Sequence, residues 1–345
     1  MIKKIELDWE GFQKNLRREG TPDRVFFFEH GIDEDFQQEL QKKYGIWDYL
    51  NPNADDYNYR RSVEIHKFLG LELMRVFPPN ARMSGTATEG GAWESGTDGA
   101  ISSWEDFEAY PWPNPSNADF SVLDYCEKNL PENMRTFAVL DLFEVVLPLF
   151  GFVNFSYLLY EDRTLIEAVI KKVAEFDLAM IKAYCDYDSH AVIYLSDDLG
   201  FKTSTMIAPD DIRQLLIPWH KKMADLAHQK GKYFFFHSCG QMYNLMDDYI
   251  DFVGIDAKHS FEENVLPVTE VNKLYGNRLS LLGGMDVDIL ARSDEKTIRS
   301  KTRDILNNCV PGGGYFLGAG NWVTSYIPLE NYMTMIDEGR NWTLS

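Results

Sequence analysis

From residue 135 to its end the chain keeps one beat. A short apolar run is followed by an amphipathic stretch, and then by another apolar run. Parallel strands need long crossovers, and a sheet built that way is covered by helices. The apolar runs fall near residues 136, 191, 232, 252, 278 and 313. Arg24-Val-Phe-Phe-Phe-Glu-His-Gly31 and Leu71-Glu-Leu-Met-Arg-Val-Phe77 bring the count to about eight. Between them lie helical patterns: Leu165, Ala168, Val169, Val173, Phe176 and Met180 recur at helix spacing over 162–185. Eight such units predict a single (β/α)₈ TIM-type barrel, with a doubly wound sheet as the other arrangement.

In a barrel, the C-terminal ends of all strands meet at one mouth. Polar residues gather at nearly every such end: Glu29, His30, Asp141, Asp197, Asp198, His237, Cys239, Asp256, Asp286 and Asn321. The stretch Lys232-Tyr-Phe-Phe-Phe-His-Ser-Cys-Gly240 is the sharpest of them. Residues i and i+2 of a strand share a face, so His237 and Cys239 leave it side by side. A nitrogen and a sulfur at that spacing suit one tetrahedral metal, zinc by default.

The remainder reads as framework. Residues 1–24 form an N-terminal helical extension closed by a Gly-Thr-Pro turn. Residues 80–120, rich in Gly, Ser, Thr and Trp, form a loop or hairpin insertion, either a lid over a site or a long surface connection. The 345 residues are treated as one barrel domain with these additions. A net charge of −20 without any basic block excludes a nucleic-acid groove. No apolar run approaches a membrane span and the N-terminus is acidic, so the cytoplasm is expected, with the four scattered cysteines reduced.

Five motifs occur in order: Ser196-Asp-Asp-Leu-Gly200, Phe236-His-Ser-Cys-Gly240, Val253-Gly-Ile-Asp256, Leu282-Gly-Gly-Met-Asp286 and Pro311-Gly-Gly-Gly-Tyr315. As a set they resemble the uroporphyrinogen decarboxylase superfamily, over roughly residues 135–345. The resemblance implies a barrel with its site at the C-terminal mouth. The superfamily's decarboxylases carry an arginine-bearing N-terminal segment and a late Gly-His-Gly. Here the first region holds only Arg24, and the second reads Gly318-Ala-Gly320. The other branch, the corrinoid-linked methyltransferases, resembles this chain in its His-X-Cys, met at His237 and Cys239. That branch carries a second Cys much further along, whereas 314–320 contain none and Cys309 falls ahead of the strand.

The branch implies zinc-assisted transfer of a methyl group between a small methylated compound (a methyl ether, methylamine or thiol) and the cobalt of a separate corrinoid protein. Without the late Cys, zinc needs an oxygen ligand from a neighbouring strand end: Glu29, Asp198, Asp256 or Asp286. Asp197 and Asp198 are adjacent, so only one of them faces the mouth. The expected set is His237, Cys239 and Glu29 on the metal. Asp198, Asp256 and His30 take part in the chemistry, and Trp93, Asp286 and Asn321 bind substrate. His259 either binds substrate or is structural. Phe26 to Phe28, Trp93 and Phe234 to Phe236 near the mouth suit a flat or apolar substrate, while consecutive phenylalanines on barrel strands are mostly core. The alternatives are a tetrapyrrole decarboxylase and a barrel that binds a small ligand without catalysis. A homodimer is compatible with the sequence.

Overall fold

The structure, a computed structural model, describes residues 3–83 and 99–343. Eight strands form one all-parallel sheet: β1 (Phe26–Phe27), β2 (Leu73–Arg75), β3 (Arg135–Leu140), β4 (His190–Ser196), β5 (Tyr233–His237), β6 (Ala257–His259), β7 (Ser280–Leu282) and β8 (Tyr315–Leu317). They follow one another in space as in sequence, with β8 returning to pair with β1. Helices fill the connections, and the result is a (β/α)₈ barrel.

Side-chain alternation sorts the aromatic residues into two cores. Phe26, Phe28, Phe137, Tyr194, Phe235 and Phe316 fill the inside of the barrel. Phe27, Phe234 and Phe236 face outward into the layer between strands and helices. Phe28 is central, with ring centroids 5.7 Å from Phe137, 6.0 Å from Tyr194 and 6.2 Å from Phe235. Truncating so embedded a ring to Ala costs roughly 3–5 kcal/mol. All six phenylalanines of 26–28 and 234–236 are buried. They are core and do not line a flat substrate slot.

The N-terminal helix Trp9–Leu16, capped by Asp8 through Gly11 N at 2.9 Å, stoppers the N-terminal end of the barrel. Its Phe12 ring lies 4.5 Å from Phe316. Asn15 clamps the start of β8, donating to Tyr315 O at 2.8 Å and accepting from Gly314 N at 3.0 Å.

Among the described residues no ladder joins β1 to β2. Side chains close this seam. Arg24 pairs with the buried Glu72 on one side, and Arg75 Nη1 donates to His30 O at 3.2 Å at the mouth.

Two sequence expectations shift. The sixth strand does not run over Phe252–Asp256. Residues Asp248–Val253 are helical, Gly254 at φ +82° ends the helix, and β6 begins after Asp256. In the 80–120 insertion the described part holds the helix Trp104–Ala109 and the short turn Pro115–Asn117, with no strand. Residues 84–98, including Trp93, lie outside the described residues. No single helix among them is long and apolar enough to cross a membrane.

Candidate metal centre at the barrel mouth

The loops after β4 and β5 are locked together. Asp197 N donates to His237 O and Ser238 N to His259 O, so the ladder continues past the strands. Leu199 N donates to Ser238 Oγ at 3.0 Å. The two loops cross at glycines: a Cβ on Gly240 would come 2.5 Å from the Gly200 backbone, and Gly240 itself sits at φ +73°. Only glycine meets both demands there. This is the physical content of the Asp-Asp-Leu-Gly and His-Ser-Cys-Gly motifs.

Held this way, Asp198, His237 and Cys239 converge. Each offers one ligand atom, and all lie within 4.8 Å of one another. Cys239 Sγ is 3.4 Å from His237 Nε2, and Asp198 Oδ1 is 3.4 Å from the same nitrogen. Zinc bond lengths and a tetrahedral angle would place sulfur and nitrogen about 3.6 Å apart, and nitrogen and oxygen about 3.4 Å apart. The two spacings measured to His237 Nε2 are close to these values.

Proton placement agrees. Burial, then the charge of His237, holds His259 well below the usual imidazole range, so it is neutral. Its Nε2 is 3.3 Å from Ala319 O, which can only accept, so Nε2 carries the proton. His259 Nδ1 is then an acceptor, and it lies 2.8 Å from His237 Nδ1. His237 must therefore donate from Nδ1. Its Nε2 is left either to a proton shared with Asp198 or to a metal. Metal-bound histidines are oriented by such an outer partner.

Electrostatics set the other two groups. Burial raises the Asp198 carboxyl, but His237 and the Cys239 N–H (2.7 Å) outweigh it and bring it down to about 2. Burial, then the Asp198 charge, pushes the Cys239 thiol well above its ordinary value. Asn321 Nδ2 lies 3.2 Å from its sulfur and Ser260 Oγ 3.7 Å. A divalent cation would displace the thiol proton.

A second group, His30, His237 and His259, also gathers ligand atoms. All three residues are buried, and the 2.8 Å nitrogen pair is already a hydrogen bond. His30 stacks on His237 at 4.6 Å and on Tyr194 at 5.1 Å. We read this group as the wall behind the metal position.

The structure brings His30, Asp198, His237, Cys239 and Asn321 together, and sets apart three other expected residues. Glu29 points away from the mouth. It accepts from Ala319 N at 3.1 Å and from the Tyr332 hydroxyl at 3.0 Å, and burial raises its carboxyl to about 8. Strand alternation sends His30 inward and its neighbour outward, so Asp198, not Glu29, is the carboxylate that joins the His237–Cys239 cluster. Asp256 precedes β6 and lies at the opposite end of the barrel, bound to Phe234 N and His228. Asp286 caps the helix Val287–Arg292 through Asp288 N at 2.8 Å and also holds Glu263 N. Asp197, the other member of its pair, accepts from Leu142, Phe143 and Glu144 backbone N–H groups and meets His220 Nε2 at 2.9 Å. Sequence reasoning passed over Arg75 and left Ser260 and Trp322 unremarked. Arg75 stands where a strand reaches the mouth, the same signal that marked the acids.

Comparison with known proteins agrees with this architecture. Residues 142–342, more than half the chain, match the uroporphyrinogen decarboxylase (URO-D) family. The protein belongs to that family. Over 165 residues it is 28% identical to the methylated-thiol–coenzyme M methyltransferase of Methanosarcina mazei. That match covers 48% of this chain and 41% of the relative, well under two thirds of the relative's length. A solved methyltransferase from Methanosarcina mazei superposes with a TM-score of 0.63 over 96% of this chain and 97% of its own, at 17% identity. This likeness is one of fold.

Proposed function

We propose that this protein is a methyltransferase that moves a methyl group between a small methylated compound and the cobalt of a separate corrinoid protein, with zinc held by His237, Cys239 and Asp198. The observation that carries the reading is the orientation of His237. Its Nδ1 is committed to His259 and its Nε2 faces a thiol and a carboxylate at tetrahedral spacing. The family membership and the methyltransferase relative support it.

Bound there, zinc would present a thiol as thiolate or polarise the oxygen of a methyl ether. The chain's own residues do the rest. His259 and Ala319 O fix the tautomer of His237. Asn321 orients the sulfur and is itself held by Trp322 N at 2.8 Å. His30, Tyr194 and Trp322 form an aromatic wall that keeps water from the inner side.

Decarboxylation of a tetrapyrrole is less well supported. Its many carboxylates need several cations. The described mouth offers Arg75 and Arg82, and Arg82 is paired with Asp141.

Metal analysis tests the first step. Protein purified without chelator should carry about one zinc per chain, and His237→Ala or Cys239→Ser should lose it. Zinc-free wild type, or unchanged zinc in either variant, would sink the reading. A methyl-transfer assay over methoxyaromatics, methylamines and thiols, with cobalamin as corrinoid, then names the substrate. No transfer with any of them would remove the activity.

A further inference from the structure

Lys258 stands where the barrel's own pattern calls for an apolar side chain. On neighbouring strands the residues facing outward into the helix layer are Ile193, Leu195, Phe234, Phe236 and Leu281. Ala257 and His259 point inside, so alternation turns Lys258 outward into the same layer. It is 1% exposed. An ammonium buried there is costly unless it is answered, and among the described residues no carboxylate pairs with it. Burial brings the group down to about 8, against the pull of Cys239, Asp198 and Glu262, so it stays charged at neutral pH.

Its three donors go to three backbone carbonyls: Ser260 O at 2.8 Å, Ser238 O at 3.1 Å and His259 O at 3.4 Å. Phe261 covers the ammonium, with its ring centroid 4.8 Å away. Ser238 lies between His237 and Cys239, and among the described residues its carbonyl meets no other donor. The N–H of the same peptide, that of Cys239, donates to Asp198 Oδ1 at 2.7 Å. One peptide is thus held at its oxygen by a cation and at its nitrogen by an anion. Bonds of both kinds are roughly twice as strong as neutral ones. The regular part of β5 ends at His237, so the strand itself does not fix this peptide. Ser260, the other tethered residue, places its hydroxyl 3.7 Å from the Cys239 sulfur.

We infer that Lys258 is a positioning residue for the His237–Cys239 pair: its ammonium and the Asp198 carboxylate pull on the two ends of one peptide and fix the direction in which the thiol leaves the chain. The inference rests on the proposed function only for the ion that the pair holds. The pinned peptide belongs to the chain alone.

Two measurements on the full chain test it. Amide hydrogen exchange of metal-free protein reads the peptide directly. In Lys258→Met the Cys239 and Leu199 amides should exchange roughly tenfold to a hundredfold faster. Phe234 N, bound to Asp256 at the far end of β5, should keep its wild-type rate. Zinc affinity, read by chelator competition, should fall by a similar factor. Lys258→Gln keeps donors but loses the charge, and should lie between the two proteins in both readings. Unchanged exchange at Cys239 in Lys258→Met, or wild-type zinc affinity there, overturns the inference. Acceleration shared equally by Phe234 does so too, since it marks a lysine that only supports the fold. Should Lys258→Met fail to fold, Lys258→Gln decides by the same readings. Zinc-free wild type, with a loosened Cys239 amide in the variant, removes the metal reading and leaves the pinned peptide standing.

Discussion

Replacing His259 with Phe tests the proton logic of the metal centre directly. The ring shape and its contacts with Phe28 and His30 are kept, while both nitrogens are lost. Two hydrogen bonds disappear: the 2.8 Å link to His237 and the 3.3 Å link to Ala319 O. His237 Nδ1 is then free to hold either tautomer, and its ring is no longer aimed. Loss of such an outer partner typically weakens a metal roughly 10- to 100-fold, or about 1.4–2.7 kcal/mol. The stranded buried N–H and C=O groups add a folding cost of about 1–3 kcal/mol each. Zinc affinity, read by competition with a chromophoric chelator, should fall by that factor while the fold is retained. Two results refute the reasoning. Unchanged affinity means His259 does not orient His237. Complete loss of zinc, together with an unaffected Asp198→Asn, means the ion sits among the three histidines.

Asp198→Asn should lower zinc affinity sharply, whereas Asp256→Asn, at the far end of the barrel, should leave it alone; the same titration reads both. Asp197→Ala strands three backbone N–H groups and His220, and should lower unfolding stability by about 3–5 kcal/mol in urea titration. Glu29→Gln should show a pH dependence of definite sign. The folded carboxyl titrates near 8, raised by burial from 4.5, so the native state binds the proton more tightly. Wild-type stability then falls as pH rises from about 4.5 to about 8, by at most about 4–5 kcal/mol from this group. The variant's advantage should grow over that window and level off above it, and a flat difference would contradict the assignment.

The barrel was legible because apolar strands and amphipathic helices differ in period, and that difference survives without tertiary information. The pairing of His237 with Cys239 was legible for the same reason, since a two-residue spacing fixes a shared face. Which of the four candidate carboxylates stands beside that pair was not. Glu29 and Asp198 each end a strand, and only the alternation within Glu29-His30 and Asp197-Asp198, with the strand registers known, tells which member faces inward. Asp256 misled because a helical turn ending at Gly254 looks like a strand in sequence, which places the acid at the wrong end. His259 was seen but could not be given a role, because its partner Ala319 O is a backbone atom with no sequence signature.

Seven of the eight joints in this ring are ladders of neutral amides, indifferent to ionic strength. The eighth is fastened by two guanidinium groups, one on Glu72 and one on the backbone of His30. The hoop therefore opens first at this joint, where no amide ladder resists, and hydrogen exchange should start there. That stave is also the one against which His30 and Trp322 lean.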